Sequence, residues 1–459
     1  MLVRFTVENF ASFKGRVELA MFPGKTQRHE SHVYKNKGTV DTLKGAVIYG
    51  ANASGKSNVI KAVRFAQDLI EEGTAANSPI STKPFKLDAA TIKGPTRIEF
   101  ELIHDGMHLA YGFSLNSTRV IEEWLYKITP RAERKIFTRE FDVNTGKSVF
   151  NFSGIKFKKP EEEQFLGFIA KATRENQLFL TEVSERKVKE NVQNLDAIFV
   201  ALSWFRNVLT IVTPDSIYHG LEVRVRNDIQ TSSLYTKYLN YFDTGISGLS
   251  VLSTDLDQIP GMPKSIKTQL LKATKTEGRM QAAFGGPNNQ RYLFCKDGPG
   301  EDDWGVMRLV TEHKHADTGE TSQFEVFEES DGTRRLMDLI PAVLDLGKEE
   351  KVFFVDELDR SLHPLITTRI IDDFMNRTPN SKAQLIVTTH EAAVLDQDIL
   401  RKDEVWFVKK EIDGSSKIYS LEEFKPRFDA DIRKGYLNGR FGAIPFIHDQ
   451  HGLQELAEA

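Results

Sequence analysis

The eight residues Gly50-Ala51-Asn52-Ala53-Ser54-Gly55-Lys56-Ser57 constrain this chain more than any other stretch. They satisfy G-x-x-x-x-G-K-[ST] in full, and both flanks suit the pattern. Ala46-Val47-Ile48-Tyr49 is a short apolar run that reads as a buried strand. Val59, Val63, Ala66 and Ile70, with Phe65 and Leu69 widening the stripe, predict a helix over 58–70. In that strand–loop–helix context the pattern is a phosphate site; without it, it would be a glycine-rich turn before an ordinary helix. Glycines let backbone N–H groups close around phosphates, and the helix N-terminus adds its positive dipole end. Gly50, Asn52, Ser54, Gly55, Lys56, Ser57 and Asn58 are the candidate nucleotide-binding residues. Lys56 would hold the β and γ phosphates, and the Ser57 hydroxyl would bind Mg2+.

Cheap tests point to the cytoplasm. One cysteine in 459 residues, Cys295, leaves no internal disulfide framework and reads as a small buried hydrophobe. No secretory signal is visible, and no apolar run approaches the ~18 residues of a membrane span. The net charge of −4 neither demands nor excludes nucleic acid, because only a local patch would matter.

Around the P-loop the chain reads as α/β. Residues 2–7 alternate as a half-buried strand and 17–19 suggest a second. After the P-loop helix come three alternating segments, 97–103, 107–115 and 120–126, with turn signals at Asp105-Gly106 and Asn116-Ser117. That is an antiparallel meander, where a parallel-sheet enzyme would proceed to another βαβ unit. From 160 to 278 the pattern turns helical. Leu195, Ile198, Phe199, Leu202, Phe205 and Leu209 share one helical stripe, and 265–276 predicts a shorter helix carrying Lys267, Lys272 and Lys275. A loop-rich stretch follows, and strands resume at 306–312 and 324–328. The expected organisation is an N-terminal lobe over 1–155, a mainly helical insertion over 156–304 and a C-terminal lobe over 305–459.

Val352-Phe353-Phe354-Val355 and Gln384-Leu385-Ile386-Val387 are near-continuous apolar runs, as strands covered on both faces should be. The first ends in Asp356-Glu357, which places Asp356 at the strand tip as the second magnesium ligand. Glu357 is then placed to orient or deprotonate the attacking water. Asp359 opens a turn into the next helix. The second run ends in Thr388-Thr389-His390, putting His390 at the same sheet edge, within reach of a γ-phosphate or the water.

With the P-loop and its following Asn58, Asp356-Glu357, Asp359 and His390, the sequence resembles ABC-type ATPases of the structural-maintenance, recombination-mediator and overcoming-lysogenisation-defect class. A fifth element, Glu329-Ser330-Asp331-Gly332-Thr333 before a helix, is similar to a degenerate ABC signature. There Ser330 and Gly332 would face the γ-phosphate of a second protomer, although Asp331 stands where transporters carry glycine. On its residues alone the stretch is equally an N-capped helix. The resemblance implies a P-loop NTPase of ABC-type head architecture with an antiparallel β subdomain and a helical insertion. It also implies ATP and Mg2+ as cofactors, Asp359 near the nucleotide, and homo-oligomers built from ATP-sandwich head dimers. Gln164 and Gln177 both remain open as the Q-loop glutamine.

Ser361-Leu362-His363-Pro364 and the run Arg440-Phe441-Gly442-Ala443-Ile444-Pro445 are especially similar to stand-alone bacterial ATPases encoded beside nucleases, phage-defence ATPases of the PARIS type among them. That likeness implies a sensor and scaffold that holds a separate toprim-type nuclease and responds to a phage-encoded trigger protein. The alternatives are a DNA-repair or recombination clamp, with 156–159 and 264–279 as candidate basic stretches, and a small-molecule kinase or GTPase. The signature and His390 argue against the last.

Overall fold

The computed structural model describes residues 1–445 apart from 27, 187, 215, 217–220, 260, 274–279, 287–289, 299, 301, 302, 346–349, 378–380 and 428. Two compact units emerge. The first comprises 1–213, 346–358 and 367 onward; the second comprises 214–345 with 359–366.

The first unit is built on two sheets. In the six-stranded sheet the order is Leu209–Val212, Val352–Val355, Gln384–Thr388, Gly45–Tyr49, Val405–Lys410, Ser416–Ser420. All neighbours are parallel except the last pair, a hairpin. The three central strands carry no polar face because helices and the second sheet cover them, which is why their sequences read as unbroken apolar runs. In the seven-stranded sheet, Thr96–His104, Met107–Leu115, Val120–Thr129, Ala132–Asp142 and Lys147–Asn151 meander antiparallel, and Leu2–Glu8 with Val17–Ala20 complete one edge. The expected meander is therefore present and two strands longer.

The segment expected to be a mainly helical insertion divides instead. Its first part packs on the meander: Trp204 and Phe205 are fully buried and meet Phe100 at ring-centroid distances of 5.9 and 5.1 Å. The helix Asp196–Ser203 passes through a π-helical turn at Trp204–Val208, and Leu209, on the same apolar stripe, begins a strand. Its backbone groups find partners along Val352–Val355, an outcome a helical continuation could not provide. The second part is a separate antiparallel sheet. Trp304–Lys314 pairs with Ile246–Thr254, Arg291–Lys296 and Thr321–Glu325, and Met280–Gly285 extends the edge. The boundary expected at 304/305 thus falls at the start of a central strand. The expected strand 324–328 ends at Glu325 and continues as a 3-10 turn.

Within this second unit the helix Asp331–Asp345 follows directly. Cys295 is buried in the sheet, and burial pushes its thiol pKa up, as suits a packing residue. The helix expected over 265–276 is Lys264–Ala273 where described, and Lys275 lies outside the described residues. Among the described residues, no helix is long and apolar enough to cross a membrane.

Candidate nucleotide site

The P-loop strand Gly45–Tyr49 is wholly buried and delivers the chain to Gly50 at the sheet edge. A Cβ at Gly50 would lie 2.4 Å from the Val408 carbonyl oxygen and 2.5 Å from Ser54 Oγ. Gly55 has φ 110°, and a Cβ there would lie 2.5 Å from the hydroxyls of both Ser12 and Ser416. Both glycines of the motif are thus fixed by the neighbouring chain as well as by the loop's own curvature.

The helix Lys56–Glu71 starts at Gly55 without a side-chain cap and without an acidic residue in its first turn. Its leading N–H groups and dipole are therefore available to an anion. The buried Ser54 hydroxyl has no hydrogen-bond partner among the described residues. Lys56 is almost fully buried, and its ammonium lies across the loop, donating to the carbonyls of Gly50 at 2.8 Å and Ala51 at 3.1 Å. Asn52 is exposed at the loop's outer bend.

Asp356 follows the strand Val352–Val355, which the strand Gln384–Thr388 separates from the P-loop strand. The Ser57 hydroxyl donates to Asp356 Oδ1 at 3.0 Å, joining residues 299 positions apart into one hydroxyl–carboxylate pair. Two hard oxygen donors and an anion-ready helix end fit a magnesium ion shared with phosphates. No group of three His, Cys, Asp or Glu gathers among the described residues, so these protein donors alone do not make a metal cage. Glu357, partly exposed, follows with φ 48°. His390 is exposed beyond Thr389, whose N–H donates to the Ile48 carbonyl at 3.1 Å. That bond runs the chain into His390 beside the end of the P-loop strand.

In the second unit, Ser330 caps the helix Asp331–Asp345. Its Oγ accepts the Thr333 N–H at 3.1 Å, and the Ser330 and Thr333 hydroxyls lie 2.9 Å apart. Asp331 forms an ion pair with Arg334. A Cβ on Gly332 would lie 2.7 Å from the Ser361 carbonyl oxygen, so the turn that begins at Asp359 crosses directly over the helix start. Leu362 N–H closes that turn on the Asp359 carbonyl at 3.0 Å.

Several expectations change. Gln177 is not a glutamine facing the nucleotide: it is fully buried and its Oε1 accepts the Thr74 N–H at 2.8 Å, past the far end of the P-loop helix. That helix has 16 residues, so about 24 Å separates its two ends. Gln164 is exposed on the helix Pro160–Ala172. Asn58 turns its amide to Ser12 Oγ at 2.8 Å.

Ser12, Ser416 and Thr388 were missed in the sequence. Ser416 donates to the Ser54 carbonyl and lies 2.7 Å from Ser12 Oγ, which makes the loop's outer wall. Each is a lone small polar residue whose partner is remote in sequence, and nothing local marks it. Of the candidate basic stretches, Lys156, Lys158 and Lys159 are exposed, Lys267 is paired with Asp257, and 274–279 lie outside the described residues.

Residues 46–396 match the protein family described as "AAA domain, putative AbiEii toxin, Type IV TA system". Among solved structures, the SMC head domain from Thermotoga maritima is 12% identical, with a TM-score of 0.34, over 91% of this chain and 98% of that one. An Smc head domain with an extended coiled coil, bound to the C-terminal domain of ScpA derived from Pyrococcus furiosus, is 13% identical. It has a TM-score of 0.35 over 93% of this chain and 99% of that one. No curated protein matches the sequence.

Proposed function

We propose that this chain, which belongs to the family described as "AAA domain, putative AbiEii toxin, Type IV TA system", is a magnesium-dependent ATPase working as a homo-oligomer. The observation that carries this reading is the Ser57–Asp356 hydrogen bond beneath an uncapped P-loop helix. Magnesium, held by Ser57 and Asp356, would neutralise charge on the β and γ phosphates. Lys56 would leave the Gly50 and Ala51 carbonyls for the phosphates, and Glu357 would orient or deprotonate water at the sheet edge, with His390 beside it.

The signature residues Ser330 and Gly332 and the Asp359 turn belong to a different compact unit from the P-loop. We read them as the half-site offered to a partner's γ-phosphate, where a helix N-terminus favours developing negative charge. In the cell this oligomer would act as sensor and scaffold in anti-phage defence, holding a separate toprim-type nuclease until a phage-encoded protein is met. The family's toxin–antitoxin description and the likeness at Ser361–Pro364 and Arg440–Pro445 support that role.

Two damaged chains test the shared site. Lys56→Ala and Ser330→Arg homodimers should each be inactive, because each spoils both of its sites. Co-expressed, up to half the chains pair as heterodimers with one intact site, and activity should return to roughly a quarter of wild type if the sites are independent. Exchanging, folded heterodimers that stay inactive would refute the two-chain site. The defence role has its own test: deleting the gene from its host should raise phage plating, and an unchanged plating efficiency refutes that part alone.

A further inference from the structure

We propose that Thr388 is a positioning residue for both members of the Asp356–Glu357 pair. The role rests on the ATPase reading above and adds to it a specific requirement for a hydroxyl. Thr388 ends the strand Gln384–Thr388, between the P-loop strand and the strand bearing Asp356, and is fully buried.

Its Oγ1 donates to Asp356 Oδ1 at 2.6 Å, the same oxygen that accepts the Ser57 hydroxyl. The same Oγ1 accepts the Glu357 N–H at 2.8 Å, and the Thr388 carbonyl accepts the Leu358 N–H at 3.0 Å. Three consecutive residues, 356 to 358, are therefore tied to one threonine.

Glu357 needs that restraint. Its φ of 48° lies in the left-handed region, which L side chains occupy only when the surroundings impose it. The bonds to the N–H groups of Glu357 and Leu358 flank the strained residue and hold its backbone in that conformation. The donated bond fixes the rotation of the Asp356 carboxylate relative to Ser57. Only a side chain that donates and accepts through one atom serves both neighbours, so serine can replace threonine and valine cannot.

The test compares Thr388→Val, Thr388→Ser and wild type, each checked for cooperative unfolding. ATP affinity is measured by calorimetry in EDTA and across a magnesium titration, and turnover is measured separately. Hydrogen bonds to charged groups support an expected fall in kcat of about 10- to 100-fold in Thr388→Val, with KM little changed. ATP affinity in EDTA should stay within about twofold of wild type, while the magnesium needed for half-maximal tightening should rise about tenfold, on the same reasoning.

Thr388→Ser should recover to within about threefold of wild type, since it keeps the bonding atom. A folded Thr388→Val with wild-type magnesium response and kcat overturns the proposal, and so does a Thr388→Ser as impaired as Thr388→Val. If Thr388→Val does not fold, Thr388→Cys, of similar volume but a weak donor, takes its place with the same expected losses. A wild type inert toward ATP overturns the ATPase reading and this role together. An active wild type with unaffected variants overturns the positioning role alone.

Discussion

Adding one methyl group at Gly332 should separate the signature stretch from the P-loop experimentally. In Gly332→Ala the new Cβ would sit 2.7 Å from the Ser361 carbonyl oxygen, a backbone atom rather than a mobile side-chain tip. Ordinary contact requires about 0.7 Å more than that. The opposing turn yields poorly, because Ser361 already has φ 61° and Leu362 N–H is bonded to the Asp359 carbonyl.

Overpacking of this kind costs about 1–3 kcal/mol. If the helix start moves instead, the Ser330 cap on Thr333 loosens, and such a cap is worth about 0.5–2 kcal/mol. Either way the second unit should lose about 0.5–3 kcal/mol of unfolding free energy in urea, followed by circular dichroism. ATP affinity by calorimetry should stay within about twofold of wild type, because the phosphate cradle is built elsewhere, whereas turnover should fall by about tenfold or more. Gly167→Ala is the matched control. That residue lies in the helix Pro160–Ala172 with nothing within 4 Å of its would-be Cβ, so the same substitution should stabilise by about 0.5–1 kcal/mol. If Gly332→Ala is as stable and active as wild type, the turn does not cross the helix start as described, and the steric reasoning fails.

Two other perturbations follow from the site and the core. Glu357→Gln should keep ATP binding and lose turnover by ~10²–10⁴-fold. An ATP-bound assembly should accumulate, seen as a larger species by light scattering, and full turnover in this variant would end Glu357's role. Lys44 is fully buried, donating to the carbonyls of Ser31 and Met375, and burial pushes its pKa down to about 8, only partly opposed by Glu404. Above that value the unfolded chain binds the proton more tightly than the folded one. Stability should therefore rise with pH from about 8 toward 10.5 relative to Lys44→Met, by about 3 kcal/mol in all. A difference in unfolding free energy that stays flat with pH would show that Lys44 is not charged at a cost.

Much of the site was legible because its signals are local. A strand, a glycine loop and a helix are contiguous in sequence, so Gly50 to Ser57 identify themselves. Four apolar residues ending in Asp356-Glu357 mark a covered strand and its tip for the same reason. The meander announced itself through alternation and its two turn dipeptides.

What the sequence left undetermined was set by partners far away along the chain. Leu209 fits a helical stripe and a strand equally well; the open edge of Val352–Val355 made it a strand. Within the stretch expected to be helical, Ile246–Thr254 is a strand because it pairs antiparallel with Trp304–Lys314. Gln177 looked eligible for a nucleotide until its burial against Thr74 placed it at the wrong end of the helix. Thr388, Ser12 and Ser416 carry no pattern, since a hydroxyl's role depends on which atoms lie within about 3 Å. Those atoms belong to Asp356, Asn58 and Ser54, brought there by the order of strands in the sheet. Periodicity decides which face of an element is buried, but strand order decides which side chains meet.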